Sequence, residues 1–284
     1  MKIAITCDTH FGITTLDNIQ QLSCRIQNDK PDIIVHAGDI GESLQTVFHV
    51  DSCLKTLKQE NQILYAGIVG NHDLWSSKSL SKSFWETILP KTFQDSDWNY
   101  LEHENLVKNG VAIVGSYLHY DYSAAEIGGL ADARIKAVFP DWTRDEYYER
   151  KKKEVVNDAR FLIGLPKDKD FAKEIGTGFQ NRLLQAENDP NVHSIVIVTH
   201  VSCMPTQITR KSDDLHWSLA TAYFGNLSHV QTIINCSKVK FVVSGHSHQA
   251  NSSVVEANDG HEIQVINIGS DYGKPIHELI EISP

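Results

Sequence analysis

Short apolar runs alternate with stretches of helical periodicity in the first third of the chain. The runs occupy residues 2–7, 32–36 and 62–69. Continuous apolar runs of this length are typical of strands that are buried on both faces of a sheet. Between the runs, apolar positions three and four residues apart, such as Ile19, Leu22 and Ile26, predict amphipathic helices. The pattern therefore predicts a β-α-β-α-β unit in which helices cover the sheet.

Capping residues and prolines predict where these helices begin and end. Thr14 or Thr15 is expected to cap the first helix, and Ser43 is expected to cap the second. A third helix is predicted from about residue 77 to residue 89, where Pro90 should stop it because proline lacks the N–H that a helix interior needs.

The rest of the chain predicts two sheet regions separated by a helical stretch. Asn109-Gly110 lies between the apolar segments 105–108 and 111–115, which is a strong signal for a hairpin. From about residue 117 to about residue 190 the chain is rich in aromatic and charged residues, which predicts a helical insertion. The remaining predicted elements are helices near 144–162, 171–187 and 226–236, strands near 194–198, 239–243, 253–256, 263–268 and 276–282, and a turn at 258–260.

Composition and charge exclude several classes of protein. The 284 residues are 41% hydrophobic and 22% charged, and the net charge of −10 argues against general binding to nucleic acid or to an anionic membrane. The five cysteines are scattered and form no C-x-x-C pair, which indicates reduced thiols. No apolar run approaches the roughly 18 residues of a membrane span, and the first run is too short for a signal peptide. We expect a soluble, cytoplasmic protein.

The residues that could carry chemistry lie where apolar runs end. Five runs end in polar motifs, which are Asp8-x-His10, Gly38-Asp39, Gly70-Asn71-His72-Asp73, His200 and Gly245-His246-Ser247-His248. In open α/β sheets ligands bind outside the carboxyl ends of the strands, so we expect these side chains to lie close together. Imidazole, carboxylate and amide oxygen together suit Zn, Fe, Mn or Co. Cys7 should point to the opposite face of its strand from Asp8.

This ordered set of motifs resembles the signature of the calcineurin-like metallophosphoesterase superfamily. The signature is D-x-H, G-D, G-N-H-[DE], a lone H and G-H-x-H, and all five blocks occur in order between residues 8 and 248. The resemblance implies an α/β fold, a four-layer α/β/β/α sandwich of two packed mixed sheets flanked by helices. We expect a single domain over residues 1–284, with a helical cap inserted at about 117–190 that the resemblance does not cover.

The resemblance also implies a centre of two transition metals, with Mn, Fe, Zn or Co as candidates. The first metal would be held by Asp8, His10, Asp39 and His248, and the second by Asp39, Asn71, His200 and His246. Two cations about 3.5–4 Å apart acidify a bridging water, whose hydroxide attacks phosphorus, and they stabilise the charge that develops. His72 would protonate the leaving-group oxygen or stabilise its charge, Asn71 and His72 would contact the substrate, and Asp73 would orient its neighbours.

One block departs from the pattern of the superfamily's protein Ser/Thr phosphatases, which read G-D-x-x-D-R-G. This chain reads Gly38-Asp39-Ile40-Gly41-Glu42-Ser43, without the arginine. Glu42 falls where those enzymes place the aspartate that partners the catalytic histidine, so Glu42 is a candidate to orient His72. We therefore expect a small phosphomonoester, or a phosphodiester such as a nucleotide, as the substrate.

Residues outside the motifs leave two interpretations open. His119 and Tyr120 follow a predicted strand where the insertion begins, so they are candidates to line the substrate pocket. The aromatic residues of this region could equally form the core of the insertion. The other histidines, such as His36 inside a predicted strand, are interpreted as structural.

Two alternative functions remain open beside a small-molecule phosphoesterase. The first is a catalytically silent binding or scaffold module of the same fold, although all the expected ligands and His72 are present. The second is a nuclease of the superfamily, although the acidic charge and the lack of a basic, aromatic-lined tract argue against it. The sequence leaves open the substrate, the preference for monoesters or diesters, the metal, the oligomeric state and the role of the insertion.

Overall fold

Two mixed sheets, flanked by helices, form the framework of the protein. The computed structural model describes residues 1–42, 45–58, 62–76, 80–211 and 213–282. The strands are β1 (Lys2–Thr6), β2 (Ile33–Ala37), β3 (Leu64–Ile68), β4 (Asn99–Tyr100), β5 (Leu106–Lys108), β6 (Val111–Ser116), β7 (Ser194–Thr199), β8 (Val239–Ser244), β9 (Asn251–Glu256), β10 (Glu262–Asn267) and β11 (His277–Glu281). The α-helices are α1 (Leu16–Asn28), α2 (Thr46–Leu57), α3 (Ser81–Ser83), α4 (Leu89–Asp95), α5 (Leu130–Val138), α6 (Arg144–Val155), α7 (Asp158–Phe161), α8 (Asp168–Asn188), α9 (Leu215–Ala220) and α10 (Val230–Ile234). The predicted fold class is confirmed.

The first sheet has the strand order β11-β1-β2-β3-β4. Strands β1 to β4 are parallel, and β11 pairs antiparallel with β1. The predicted β-α-β-α-β unit is present as β1-α1-β2-α2-β3. Thr15 caps α1, because its hydroxyl accepts a hydrogen bond from the N–H of Asn18. The predicted cap at Ser43 and the predicted helix start at residue 77 lie outside the described residues.

The second sheet has the strand order β5-β6-β7-β8-β10-β9. Strands β6, β7, β8 and β10 are parallel, and the β5–β6 and β9–β10 hairpins supply antiparallel edges. The β5–β6 turn has φ angles of +50° at Asn109 and +76° at Gly110, the left-handed conformations that a tight two-residue hairpin turn needs. Both predicted hairpins are confirmed.

Aliphatic side chains of both sheets fill the space between the sheets. Ile5 and Val35 from the first sheet and Ile113, Val198 and Val243 from the second belong to one core cluster, and each is fully buried. Strands that are buried on both faces need apolar residues at successive positions. This requirement explains the continuous apolar runs in the sequence.

The third helix differs from its prediction because it continues past Pro90. It begins with α3, widens into a π-helical turn over Phe84–Ile88, and continues as α4 to Asp95. In the π-turn the N–H of Leu89 donates to the carbonyl of Phe84, five residues back. The backbone hydrogen bonds of the helix therefore already depart from the α-helical pattern before Pro90. For this reason the N–H that Pro90 lacks does not end the helix.

The helix predicted over 226–236 is shorter than expected. Only α10 (Val230–Ile234) is helical, because side-chain bonds hold the preceding residues in a turn. The Asn226 amide donates to the carbonyl of His119, and the Ser228 hydroxyl bonds to the Asp121 carboxylate. Helices α5 and α9 and the short strand β4 were not predicted.

The stretch 117–190 contains helices α5 to α8. A capping box at Thr143 and Glu146 begins α6, and helix α8 packs against strand β6 of the second sheet. Tyr120, Tyr122 and Tyr148 are buried here, so the aromatic residues contribute to a core. None of the helices in the described part of the chain is both long enough and apolar enough to cross a membrane.

Candidate metal centre

The five polar motifs meet at one edge of the two sheets, where the parallel strands end. Asp8 and His10 follow β1, Asp39 follows β2, and Asn71 and His72 follow β3. His200 follows β7, and His246 and His248 follow β8. Because both sheets open at the same edge, side chains that are up to 240 positions apart in sequence become neighbours.

The backbone at this edge is strained. Asp8, His10, Asp39, His246 and His248 have φ angles of 50°, 42°, 53°, 70° and 54°. Residues with a side chain rarely adopt this left-handed region, and such conformations are concentrated at functional sites. The surrounding fold therefore holds these five side chains in positions that their own backbone preferences do not favour.

Two groups of side chains could each hold a metal ion. In the first group, ligand atoms of Asp8, His10 and His248 lie within 4.8 Å of one another. In the second group the same is true of Asp39, His200 and His246. Asp39 also lies within this range of His10 and His72, so it stands between the two groups.

Asn71 joins the second group through its amide oxygen. Its Oδ1 lies 2.9 Å from Nε2 of His200 and 3.1 Å from Nδ1 of His246. Asp39 Oδ1 lies 3.4 Å from the same nitrogen of His200. The structure thus places all seven predicted metal ligands in one centre, with Asp39 in the middle.

The state of His10 supports metal binding. Its Nδ1 lies 2.8 Å from Oε2 of Glu42, so this nitrogen carries the proton and donates it. Its Nε2 is buried and has no hydrogen-bond partner among the residues that the structure describes, although Asp39 Oδ2 lies 3.8 Å away. A buried ring nitrogen that faces other possible ligands, with a carboxylate hydrogen-bonded to the other ring nitrogen, is the usual arrangement of a metal-binding histidine.

The carboxylates of the centre hold positive charge on two of its imidazoles, those of His200 and His72. Burial lowers the pKa of His200, but the Asp39 carboxylate outweighs it and raises that pKa to about 9. Burial raises the pKa of Asp39, but the neighbouring His200 and His72 outweigh burial and hold that pKa well below its usual range. Burial and the charge on His200 lower the pKa of His246 to about 4. Metal ions can replace protons at such a site, because they supply the same compensating charge.

His72 is held between Glu42 and an indole ring. Its Nδ1 donates to Oε2 of Glu42 at 2.6 Å, which leaves Nε2 facing the centre, 4.0 Å from Oδ2 of Asp39. Burial lowers the pKa of His72, but Asp39 and Glu42 raise it to about 9. On its other side the ring stacks on Trp75, with the ring centroids 3.6 Å apart. One oxygen of Glu42 therefore orients both His10 and His72.

Asp73 binds backbone groups of the loops that carry Asp39 and Asn71. Its carboxylate accepts hydrogen bonds from the N–H groups of Ile40, Gly41 and Gly70, at 3.0, 2.8 and 2.8 Å. Burial and the neighbouring Asp39 charge raise the pKa of Asp73 to about 7, although these three hydrogen bonds lower it. Gly70 has no room for a side chain, because a Cβ would collide with the Asp39 carboxylate. Close backbone packing thus fixes Asp39.

A cavity of about 190 Å³ opens beside the second group of ligands. Tyr120, a predicted substrate contact, lines it, and so do Asn71 and His72. His119 does not lie at this cavity. It is buried, accepts a hydrogen bond from Tyr117, and donates to Asp168. His36, interpreted as structural, is buried in β2 and bonds to Thr9.

Several residues of the cavity were not predicted. They are Trp75, Val156, Asn157, Asp158, Tyr223, Phe224 and Tyr272. Trp75 could have been suspected because it lies three residues beyond His72. Nothing in the sequence distinguishes Asp158 from the other acidic residues of the insertion, because its contacts are long-range.

Comparison with known proteins places the motifs in a family. The family model of calcineurin-like phosphoesterases matches residues 1–250, which confirms the resemblance drawn from the motifs. No curated protein matches the chain significantly.

One solved structure shares the fold at low sequence identity, and two others are less similar. Phosphopantetheinyl hydrolase from Mycobacterium tuberculosis superposes with a TM-score of 0.67 at 17% identity, over 98% of this chain and 95% of that one. A dimetal phosphatase from Danio rerio gives a TM-score of 0.48 at 12% identity, over 95% and 89%. A 5′-nucleotidase precursor from Thermus thermophilus gives 0.45 at 12% identity, over 99% of this chain and 54% of that one.

Proposed function

The chain belongs to the calcineurin-like phosphoesterase family, and from this premise we propose that it is a dinuclear metal-dependent phosphoesterase. Its substrate would be a small phosphomonoester or phosphodiester, including nucleotides. The observation that carries the proposal is the pair of ligand groups that meet at Asp39. Nε2 of His10, which has no hydrogen-bond partner in the described part of the chain, supports it, because a buried nitrogen without a partner is costly unless a ligand binds to it.

The seven predicted ligands divide between two sites. The first metal would be held by Asp8, His10, Asp39 and His248, and the second by Asp39, Asn71, His200 and His246. Imidazole, carboxylate and amide donors without a thiolate suit Mn, Fe, Zn or Co. When bound, the two cations would neutralise the phosphate and acidify the attacking water.

His72 would act at the leaving group. Its Nδ1–H is committed to Glu42, so only Nε2 can deliver a proton to a substrate oxygen. Glu42 keeps that tautomer and orientation, because its carboxylate can only accept hydrogen bonds when ionised. The stacked ring of Trp75 covers one face of His72 and shields it from water. These contacts make His72 a positioned general acid.

Asp73 and Tyr120 would have supporting roles. Asp73 would keep the Asp39 and Asn71 loops in register through its three backbone bonds. Tyr120 would line the substrate pocket together with Asn71 and His72. The absence of the protein-phosphatase arginine from the second motif favours a small substrate over a phosphoprotein.

The experiment combines metal analysis with turnover. The metal content of the purified protein is measured by mass spectrometry, and hydrolysis of bis-p-nitrophenyl phosphate and p-nitrophenyl phosphate is followed with added Mn. We expect two transition metals per chain and hydrolysis of at least one substrate. A phosphopantetheine ester belongs in the panel, because a phosphopantetheinyl hydrolase shares the fold.

The Asp39→Asn variant is the control, since Asp39 contributes to both groups of ligands. It should lose most of the metal and nearly all turnover while remaining folded. Diester turnover would identify a phosphodiesterase, and turnover of the monoester alone would identify a phosphatase. A protein without metal or turnover after reconstitution would instead support the binding module, and cleavage of single-stranded DNA would support the nuclease.

A further inference from the structure

Asp158 links the insertion to the metal centre. It is the first residue of α7, and only 3% of its surface is exposed. Its carboxylate accepts three hydrogen bonds, from Nδ2 of Asn71 at 2.9 Å, from Nε1 of Trp75 at 2.7 Å and from the hydroxyl of Tyr120 at 2.9 Å. Asp158 belongs to none of the groups of possible metal ligands among the described residues. Its oxygens are directed to other side chains.

The bond to Asn71 determines which end of the amide faces the metal ligands. A carboxylate accepts hydrogen bonds, so the NH₂ end of Asn71 must point to Asp158. The oxygen then points the other way, towards His200 and His246. With the amide reversed, the NH₂ group would face these histidines, and a metal would lose an oxygen ligand.

The bond to Trp75 acts on the other side of the pocket. The Asp158 oxygen that accepts a hydrogen bond from Asn71 also accepts one from the indole N–H of Trp75. The indole lies between His72 and Phe161, with centroid distances of 3.6 and 4.8 Å. Because this hydrogen bond fixes the rotation of the indole, it also fixes the surface on which the His72 ring stacks.

We propose that Asp158 is a positioning residue through which the insertion orients the Asn71 ligand and the Trp75 wall of His72. This inference rests on the proposed function, because it assumes that Asn71 binds a metal. The insertion then has a defined task, since it supplies the carboxylate that accepts a hydrogen bond from the NH₂ group of Asn71. The second metal site would be completed by a residue from outside the five motifs.

The test is a Co²⁺ titration of the metal-free protein, followed by the d–d absorption of the bound ion and by calorimetry. Asp158→Ala should weaken one of the two Co²⁺ binding steps about 10-fold to 100-fold, as loss of a partner of a metal ligand does. The other step should be unchanged. Asp158→Asn should restore most of the affinity, because its amide oxygen can still accept from Asn71 and Trp75.

Asp168→Ala is the matched control. Asp168 is another buried carboxylate of the insertion, and it also binds three side chains, those of His119, Tyr122 and Lys152. Among the described residues it bonds to none of the candidate ligands, so its loss should lower the melting temperature without weakening either Co²⁺ binding step. If Asp158→Ala does not fold, Asp158→Ser takes its place, since the shorter side chain cannot reach both donors.

Two results would overturn the inference. One is that Asp158→Ala binds both Co²⁺ ions as tightly as the wild type does, and the other is that Asp168→Ala weakens Co²⁺ binding as much as Asp158→Ala does. Failure of the proposed function would give a different experimental result. A wild-type protein that binds two Co²⁺ ions and hydrolyses no phosphoester would refute the function, while the comparison of variants would still decide the role of Asp158. A wild type that binds fewer than two ions would refute both.

Discussion

At the scale of single residues, Glu42 and Asp39 each serve two partners. Glu42 orients His10 and His72 with one oxygen, and its pKa falls to about 2, because these two hydrogen bonds outweigh its burial. Asp39 contacts imidazoles of both groups of ligands. In the proposed function, the binding of metals and the transfer of a proton would therefore be coupled through these two carboxylates.

Replacement of His72 by alanine should reduce turnover and leave the metals in place. General acid catalysis contributes about 10²–10⁴-fold, and it matters most when the leaving group is a poor one. We expect kcat to fall by about that factor for an alkyl phosphoester and by much less for a p-nitrophenyl ester. The measurement is kcat for both substrates, with metal content determined on the same sample.

The matched control for this variant is His36→Gln. His36 is buried in β2 and lies outside the groups of possible ligands in the described structure, so any loss there should be the same for both substrates. Full turnover of the alkyl ester by His72→Ala would contradict the role assigned to His72.

At the scale of elements, close packing between the two sheets sets the geometry of the centre. Gly115 in β6 lies against Leu101 and Ile68, and a Cβ on this glycine would be 2.5 Å from the Cβ of Leu101. The interior cannot absorb such an overlap without moving a strand. Strand β3, which ends at Ile68, leads directly to Asn71 and His72.

Gly115→Ala should therefore destabilise the protein by about 1–3 kcal/mol, the usual effect of overpacking. Gly178→Ala is the matched control, because Gly178 is half-buried in α8 and its new Cβ would meet only the tip of Arg182, at 3.3 Å. Alanine is the better helix former, so this variant should gain up to about 1 kcal/mol. Urea unfolding gives the free energy of unfolding of both variants. Equal destabilisation of the two would contradict the prediction.

At the scale of the whole molecule, the candidate centre joins segments that are distant in the chain. Its ligands come from both sheets, and Asp158 adds a contact from the insertion. Bound metals would therefore cross-link the two sheets. The same ligands are dispersed in the unfolded chain, so metals would bind the folded state much more tightly.

Removal of the metals should lower the melting temperature. A ligand at about 100 times its Kd stabilises the folded state by about 2.7 kcal/mol per site, which amounts to several degrees in a chain of this size. We expect EDTA to lower the melting temperature in calorimetry and added Mn to restore it. Asp39→Asn should respond to neither. An unchanged melting temperature after proven loss of metal would show that the centre does not support the fold.

The structure bears out those predictions that rest on local patterns. Continuous apolar runs marked the strands, because a strand covered on both faces must be apolar throughout. Asn109-Gly110 marked its hairpin through backbone conformation. The five motifs were recognisable because each is a short run directly after a strand. Pro90 misled the prediction, since no local pattern signalled the π-turn over Phe84–Ile88 that precedes it.

What the sequence alone determined is the class of fold, the family and the set of candidate ligands, because these depend on residue types at short spacing. Only the tertiary structure decided which of those side chains face each other, where Glu42 binds, and that His119 lies away from the cavity while Tyr120 lines it. It alone brought Asp158 to Asn71 across 87 residues. Such contacts are set by the packing of whole elements, and no local pattern of residues encodes them.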